Sequence, residues 1–232
     1  MYQRIHRLTL HILIILTIGF FGHTNLAQAT DEDARLWLTF IAEGNVSEKV
    51  RWYAEVQPRW KNDIQSFDQI ILRPALNLAL SDKSTLWLGY AYVDTKTANG
   101  HSYEDRWWQQ YQYITKHERT TWLSRSRLEQ RHLDGGNKTA HRFRQLLRAS
   151  WPMNQRDDLS YLVWDELFWN LNDTQWGGDN GFNQNRLFLG AMWRYSKQSR
   201  LEIGYLNQFV NVTSGAPNQM NHVLSSFVFI GF

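Results

Sequence analysis

The sequence predicts an all-β fold, a transmembrane antiparallel up-and-down β-barrel of about 10–12 strands. Three observations lead to this prediction. The chain begins with an export-type segment, it continues as stretches of roughly ten residues with an apolar side chain at every second position, and the connections between these stretches alternate between short and long.

Residues 1–29 have the features of a cleaved signal peptide. Two arginines precede an apolar run at residues 8–21, and Ala27 and Ala29 supply the small side chains that a signal peptidase recognises. An uncleaved transmembrane anchor is the less favoured alternative, because the run is shorter than the roughly 20 residues that a bilayer-spanning helix needs. We expect export to the outer membrane of a Gram-negative bacterium and one barrel domain over residues 30–232.

The composition of the mature chain excludes several classes of protein. The full chain has 25 basic and 22 acidic residues, and residues 1–29 contain two arginines and no acid, so the mature chain is nearly neutral. It contains no basic run, so we expect no nucleic-acid partner. It contains no cysteine, which excludes disulfides and thiolate metal sites. We expect no cofactor and no metal.

Eleven stretches of the mature chain have the period of a β-strand. Their lengths suit a tilted strand, since about 9–11 residues cross a bilayer in this conformation. The candidate strands are residues 35–43, 49–60, 67–80, 84–94, 105–115, 120–131, 141–151, 159–170, 184–195, 199–210 and 221–232.

The connections predict two unlike rims, with short turns at the periplasmic side and longer loops outside. Residues 81–83, 116–119, 152–158 and 196–198 form the short connections, and residues 95–104, 132–140, 171–183 and 211–220 the longer ones.

An odd number of strands conflicts with the even number in bacterial single-chain barrels. Counting back from the C-terminus puts the turn at residues 44–48 on the periplasmic side. Residues 35–43 would then enter from outside, unless a strand is missed or this segment is not in the wall. Ten and twelve strands both stay open, and we favour twelve.

The C-terminal strand ends on an aromatic residue. Val228, Ile230 and Phe232 share one face with Leu224, a pattern that resembles the signal by which barrel proteins are handed to the barrel assembly machinery. The alternative is the final strand of a soluble sandwich, which has no reason to end on phenylalanine.

Lysine and arginine are distributed differently. Nearly all lysines fall in connections or at strand tips, whereas many arginines lie within strands on the face opposite the apolar stripe. We expect that face to line the lumen, because an arginine facing lipid near the midplane costs about 2–4 kcal/mol. The predicted charged network of the lumen consists of Arg125, Arg127, Glu129, Arg131, Arg142, Arg144, Arg148, Arg186, Arg194, Glu202 and Glu166.

Hairpin geometry predicts partners within this network. If the hairpin after residue 131 is symmetrical about residues 136–137, Glu129 lies opposite Arg144. Arg131 then lies opposite Arg142. Guanidinium groups on either side would hold the Glu129 carboxylate, since their forked geometry suits bidentate binding.

Two further placements follow from the strand pattern. Arg194 is expected to pair with Glu202 across the short turn at residues 196–198. Asp165 and Glu166 are adjacent and point to opposite faces of a regular strand. We expect Glu166 to join the arginines and Asp165 to lie at a bend or a wet interface.

Aromatic residues near strand ends predict a membrane-interface girdle. We expect Trp122, Trp151, Trp193 and Tyr195 on the lipid face beside the short turns, and Trp107 near the rim of the long loops. The alternative is that these rings fill a soluble core, which offers no reason for clustering at strand ends. Trp164 and Trp169 lie on opposite faces of one strand, so the girdle leaves one of them unexplained.

Several segments resemble the bacterial family known as domain of unknown function 2490, a family of probable outer-membrane barrels. The resemblance spans the mature chain, contains no catalytic signature, and implies a barrel in the cell envelope without implying an activity. The similar segments are Leu36-Trp37-Leu38, Arg125-Ser126-Arg127-Leu128-Glu129-Gln130-Arg131, Asp165-Glu166-Leu167-Phe168, Asn185-Arg186-Leu187-Phe188-Leu189-Gly190, Leu201-Glu202-Ile203-Gly204-Tyr205 and Asn221-His222.

The sequence leaves four alternatives for what this protein is. The favoured one is a closed or structural barrel whose lumen is filled by arginine and glutamate side chains. The second is a small porin-like channel selective for a small anionic solute. The third is a lipid-modifying enzyme, for which Ser124 and Ser126 with His132 and His141 have poor geometry, so we expect no enzyme. A soluble periplasmic β-protein is the fourth. The expected partners are outer-membrane lipids and the barrel assembly machinery.

Overall fold

The structure is a computed structural model that describes residues 30–154, 156–213 and 215–232. The predicted signal peptide at residues 1–29 lies outside the described residues. Among the described residues, no helix is long and apolar enough to cross a membrane.

The described chain forms eleven strands, which confirms the all-β prediction. They are β1 Thr30–Asn45, β2 Val50–Lys61, β3 Ser66–Ser81, β4 Ser84–Thr97, β5 Gly100–His117, β6 Thr120–Leu133, β7 Ala140–Met153, β8 Arg156–Asn170, β9 Gly181–Arg194, β10 Arg200–Val210 and β11 Asn218–Gly231.

The strands close into one barrel in which each strand pairs with its neighbours in sequence. All consecutive pairs are antiparallel, whereas β1 and β11, which close the barrel, are parallel. The strand number lies within the predicted range, but the favoured number of twelve was wrong. An odd number of strands places the first and last strands in the same direction, and a parallel pair closes the barrel without a twelfth strand.

The parallel seam puts the start of β1 and the end of β11 at opposite rims. We call the rim that holds the end of β11 the turn rim, and the opposite one the loop rim. The connections at the turn rim are residues 46–49, 82–83, 118–119, 154–155 and 195–199. The connections at the loop rim are residues 62–65, 98–99, 134–139, 171–180 and 211–217.

One predicted long loop is not a loop. Residues 95–104 were expected to lie outside the wall, but β4 and β5 continue through them and turn at residues 98–99. Gly100 follows the turn with a φ of 126°, a region that side chains with a Cβ rarely adopt. The tight turn keeps Glu104 within strand β5, so its side chain can face the barrel interior.

A belt of exposed apolar side chains surrounds the barrel, with a contribution from every strand. Alternation along each strand separates this belt from the interior, because successive side chains point to opposite faces. A closed ring of this kind is typical of a wall that faces lipid. Taken in strand order, one member per strand is Phe40, Val56, Leu76, Leu88, Tyr111, Leu128, Phe143, Leu167, Leu189, Ile203 and Leu224.

Part of the interior is filled by an apolar cluster. Trp164, left unexplained by the girdle pattern, belongs to it and stacks on Phe188 with ring centroids 5.1 Å apart. Gly190 and Gly204 lie opposite each other, and a Cβ at Gly190 would fall 2.7 Å from the Phe188 ring. The glycines therefore make room for a ring that fills the barrel. The buried members are Trp37, Leu146, Leu162, Trp164, Phe188, Met192, Leu206 and Val223.

Contacts at both rims hold β1 in the wall. At the loop rim, the Asp33 carboxylate accepts hydrogen bonds from the backbone N–H groups of Asn62 and Asp63 at 3.2 and 3.1 Å. At the turn rim, the backbone N–H of Phe232 donates to the Glu43 carbonyl at 3.0 Å. Strand β1 is thus tied to the β2–β3 connection at the loop rim and to the end of the chain after β11 at the turn rim.

Candidate functional site

The inward faces of β5 to β10 carry most of the charge of the barrel interior, and Glu129 on β6 lies among three guanidinium groups. Arg142 Nη2 donates to Glu129 Oε2 at 2.6 Å, and Arg144 Nη1 donates to Oε1 at 2.6 Å. Arg127 Nη1 lies 3.8 Å from Oε1. Glu129 exposes 2 % of its surface and each of the three arginines 6 %, so water is excluded from this cluster.

Arg144 links Glu129 to a second carboxylate, Glu166 on β8. Arg144 Nε donates to Glu166 Oε1 at 2.9 Å, and Arg125 Nη2 donates to the same oxygen at 2.7 Å. Glu166 is buried among these arginines. Asp165 points to the outer wall, where Asn185 Nδ2 donates to its two oxygens at 3.1 and 2.9 Å.

Glu202 forms two further ion pairs nearer the turn rim. Arg148 reaches it from β7, across the interior, with Nη2 to Oε1 at 2.8 Å and Nη1 to Oε2 at 2.9 Å. Arg200 Nε donates to Oε1 at 2.9 Å. The predicted pairing with Arg194 was wrong. Arg194 lies at the strand end and is exposed, and Met192, not Arg194, is opposite Glu202.

The predicted register of β6 and β7 was also wrong, by two residues. Glu129 is opposite Arg142, and Arg131 is opposite Ala140. The bend is centred one residue earlier than expected, because Gly135 adopts a φ of 72° and the Gly136 N–H bonds to the Leu133 carbonyl. A two-residue slip keeps each side chain on its face, so both arginines still point inward.

Two acidic anchors of the interior were missed by sequence reasoning. Glu104 on β5 accepts from Arg106 Nε at 2.8 Å and from Arg131 Nη2 at 3.1 Å. It had been assigned to a loop. Its alternation with Arg106 and Trp108, the next two inward positions, was the signal that places it in the strand.

Glu55 on β2 is the other missed anchor, and it contacts Arg73 on β3 and Tyr53. Here too the period of two was present, since Tyr53, Glu55 and Gln57 alternate with smaller outward residues. Its partner on the next strand depends on the register of β2 and β3.

Aromatic rings inside the barrel pack against the guanidinium groups in cation–π contacts. The Arg127 Cζ lies 4.1 Å from the centroid of the Trp108 ring. Phe168 has the Cζ atoms of Arg144 at 4.3 Å and of Arg186 at 4.6 Å. Cation–π contacts of this kind are worth about 2 kcal/mol when both groups are desolvated.

Basic side chains outnumber acidic ones in this interior. Nine arginines share five glutamates through ion pairs no longer than 4.0 Å. Desolvated charges of like sign repel strongly, so the carboxylates, ring faces and amide groups together must offset the repulsion. The arrangement can hold the wall together across the barrel, and it presents a positive field to any anion that enters.

The outer wall carries the serines considered for catalysis. Ser126 Oγ donates to Gln145 Oε1 at 2.6 Å, and Gln145 Nε2 donates to Ser124 Oγ at 3.1 Å. Their side-chain partner is thus an amide. A serine nucleophile needs a base within hydrogen-bond reach, and Gln145 cannot act as one.

The five residues expected to form the girdle are all exposed, four of them on strands and Tyr195 in the connection after β9. Trp107 exposes 52 % of its surface and Trp193 exposes 47 %, and Trp122, Trp151 and Tyr195 are also exposed. Trp169, on the same strand as the buried Trp164, joins them outside.

The C-terminal residues also face outward. Ile230 and Phe232 are exposed and Val228 is half-buried. The Phe232 ring stacks on Trp52 of β2 with centroids 6.0 Å apart.

Comparison with known proteins places the chain in a family. A family model described as a protein of unknown function (DUF2490) matches residues 34–221. An uncharacterised protein of Methylorubrum extorquens is 37 % identical over 229 residues, which cover 97 % of this chain and 98 % of that protein. The NanC porin structure in a rhombohedral crystal form is similar with a TM-score of 0.48 and 13 % identity, over 81 % of this chain and 93 % of that chain. The family match over most of the barrel confirms the resemblance seen in the sequence, and the chain belongs to the DUF2490 family of proteins of unknown function.

Proposed function

We propose that this protein is a closed barrel of the bacterial outer membrane, exported by a cleaved signal peptide and held shut by its charged interior. The observation that carries the proposal is the burial of the cluster around Glu129, whose members expose no more than 6 % of their surfaces. A water-filled pore would expose these side chains to solvent. The role is structural, and it involves no catalysis.

The location in the membrane rests on the contrast between the two faces of the wall. Every strand contributes an exposed apolar side chain outside, whereas arginines and glutamates lie inside. In water the exposed apolar belt would be unfavourable, but in a bilayer it is favourable. Outer-membrane lipids are therefore the proposed partner of the belt, and the exposed Phe232 end is proposed to contact the barrel assembly machinery during biogenesis.

The second candidate function is a channel for small anionic solutes. It is favoured by one observation, the excess of arginine over glutamate in the interior, which would attract anions. For conduction, the cluster around Glu129 would have to open.

Single-channel recording of the refolded protein in planar bilayers distinguishes the closed barrel from the channel. A closed barrel gives no conductance steps in the wild type or in the Glu129→Gln variant. A channel passes anions over cations, and the double substitution Arg127→Gln and Arg144→Gln weakens that preference. Anion-selective steps in the wild type would overturn the proposed function.

Cysteine labelling tests the orientation on which both functions depend. The chain has no cysteine, so single substitutions give a clean background. A probe restricted to lipid should react at positions 143 and 147, and not at positions 127 and 144. The opposite pattern would place the arginines on the outer wall and contradict both functions.

A further inference from the structure

Two interior arginines differ from the nine that share the glutamates. The guanidinium of Arg59 on β2 donates to the side-chain oxygens of Gln57 at 2.6 Å and Gln69 at 3.2 Å, which are neutral acceptors. Arg186 on β9 is opposite Glu166, but the Oε1 of that carboxylate accepts from Arg125 and Arg144. Within the described part of the chain, neither Arg59 nor Arg186 has a carboxylate oxygen within 4.0 Å.

Both of these arginines lie against one ring, that of Trp37 on β1. The Arg59 Cζ is 3.9 Å from the ring centroid, and the Arg186 Cζ is 4.9 Å from it. Strands β2 and β9 are not neighbours in the barrel, so their side chains meet at Trp37 across the interior. Two cations thus converge on one indole without a carboxylate between them.

Hydrogen-bond donors at this place lack acceptors. The Nε atom of Arg186 and the Nε1 atom of Trp37 are buried, and neither has an acceptor among the described residues. The Nε atom of Arg125, whose Nη2 contacts Glu166, is also buried without an acceptor among the described residues. A buried donor without an acceptor is destabilising, and more so when it is charged. Unpaired donors beside guanidinium groups that have no carboxylate oxygen of the described residues within 4.0 Å are the features of an anion site.

We propose that a small oxyanion, a carboxylate or phosphate group, binds between Arg59 and Arg186 beside Trp37. The Arg186 guanidinium presents two N–H groups in a fork that matches two oxygens of such an anion, and the indole N–H supplies a third donor. Arg59, whose guanidinium nitrogens donate to Gln57 and Gln69, adds positive charge. Arg59 and Arg186 are half-buried rather than buried, so solvent reaches part of each side chain. The anion offsets the charge of the two arginines, and its binding does not depend on whether the barrel conducts.

The test uses the full mature chain refolded in an uncharged detergent, with inorganic phosphate as the probe. Phosphate replaces chloride at constant ionic strength, and calorimetry gives the Kd while thermal unfolding gives the shift in Tm. We expect saturable binding and a saturable rise in Tm, since a ligand that binds only the folded state stabilises it. Acetate, as a carboxylate probe, should compete with phosphate.

Variants locate the site. Arg186→Gln should raise the Kd for phosphate about tenfold or more, because it removes a charged donor worth roughly 1.5–3 kcal/mol. It should also abolish the rise in Tm. Arg194→Gln is the matched control, since Arg194 lies on the same strand but is exposed. Its Kd should equal that of the wild type. Trp37→Phe keeps a ring and removes the N–H group, and should weaken binding less than Arg186→Gln.

Two results would overturn the proposal. One is the absence of saturable phosphate and acetate binding by the wild type. The other is binding by Arg186→Gln that equals that of the wild type. If Arg186→Gln fails to fold, fluorotryptophan NMR of the wild type replaces it, with the Trp37 resonance assigned from Trp37→Phe. That resonance must then shift on addition of phosphate, and an unchanged resonance counts against the site. Because binding is measured in detergent, its failure is distinct from the appearance of conductance in a bilayer.

Discussion

Single residues in the charged part of the barrel interior are constrained by their ion pairs. Glu129 is the clearest example, since its two carboxylate oxygens accept from Arg142 and Arg144 while Arg127 lies nearby. A buried carboxylate is tolerated when it is paired, and here it also separates cations that would otherwise repel each other. Removing its charge leaves those guanidinium groups in a low dielectric with less compensation.

We predict that Glu129→Gln destabilises the barrel by about 3–5 kcal/mol, the usual cost of breaking a buried ion pair by removing one partner. The free energy of unfolding in lipid vesicles, from a urea titration, measures the effect. Glu48→Gln is the matched control, because Glu48 lies in an exposed turn at the turn rim. Equal stability of the two variants would show that the network contributes little to folding.

At the scale of elements, the seam between β1 and β11 is the unusual feature of the wall. It is the one parallel pair among the described strands, and it forms between segments at the two ends of the described chain. Parallel pairs are slightly less stable per residue than antiparallel ones. The contact at the turn rim between the Phe232 N–H and the Glu43 carbonyl therefore matters for keeping the barrel closed.

Engineered disulfides test the direction of the seam. In the parallel register, Leu36 is opposite Leu224, and Phe40 is opposite Val228. We predict that cysteine pairs at 36 with 224 and at 40 with 228 cross-link under oxidation, as seen by migration on a denaturing gel without reductant. The exchanged pairs, 36 with 228 and 40 with 224, are separated by about 13 Å along the strand and are too far apart to bond. Cross-linking of the exchanged pairs instead would indicate an antiparallel seam.

The end of β11 is predicted to be needed for assembly. Phe232→Ala removes the ring that stacks on Trp52, at the end of the outward apolar stripe, so less folded protein should reach the outer membrane. The folded fraction on a gel without boiling gives the measurement. Val46→Ala removes an equally exposed apolar side chain from a turn at the same rim and should leave the yield unchanged. Equal yields from the two variants would argue against a role for the chain end.

At the scale of the whole molecule, the barrel reverses the usual distribution of polarity. Apolar side chains form a complete outer belt, and eleven strands close so that no sheet edge is exposed. Closure satisfies the backbone hydrogen-bonding groups of every strand, which a wall in lipid requires. The interior ion pairs then connect strands that are not neighbours, such as β7 and β10 through Arg148 and Glu202.

This organisation predicts resistance to detergent. We expect the mature protein in the outer-membrane fraction, migrating faster on a gel when unheated than when boiled, because a closed barrel stays folded until heating breaks the strand pairing. Fractionation of the producing cells followed by paired heated and unheated lanes measures both properties. Recovery in the soluble periplasmic fraction would contradict the assignment to the membrane.

The faces of the strands could be predicted because they depend on local alternation. Arg142, Phe143 and Arg144 point in, out and in whatever the rest of the chain does, since successive side chains of a strand point to opposite sides. The fold class follows from the same period, whereas the period alone does not decide which of the adjacent Asp165 and Glu166 faces inward. A shift of two residues in register leaves these predictions intact, and the error in pairing β6 with β7 did not change them.

Partners across the barrel could not be predicted, because they depend on closure and register. Glu202 contacts Arg148 from β7 rather than the nearby Arg194, and Trp37 meets Arg186 from β9. The parallel seam could not be predicted either, since no local pattern in β1 specifies that it pairs with β11. Period and polarity are properties of neighbouring residues, whereas these contacts exist only once all eleven strands have brought distant segments into one small interior.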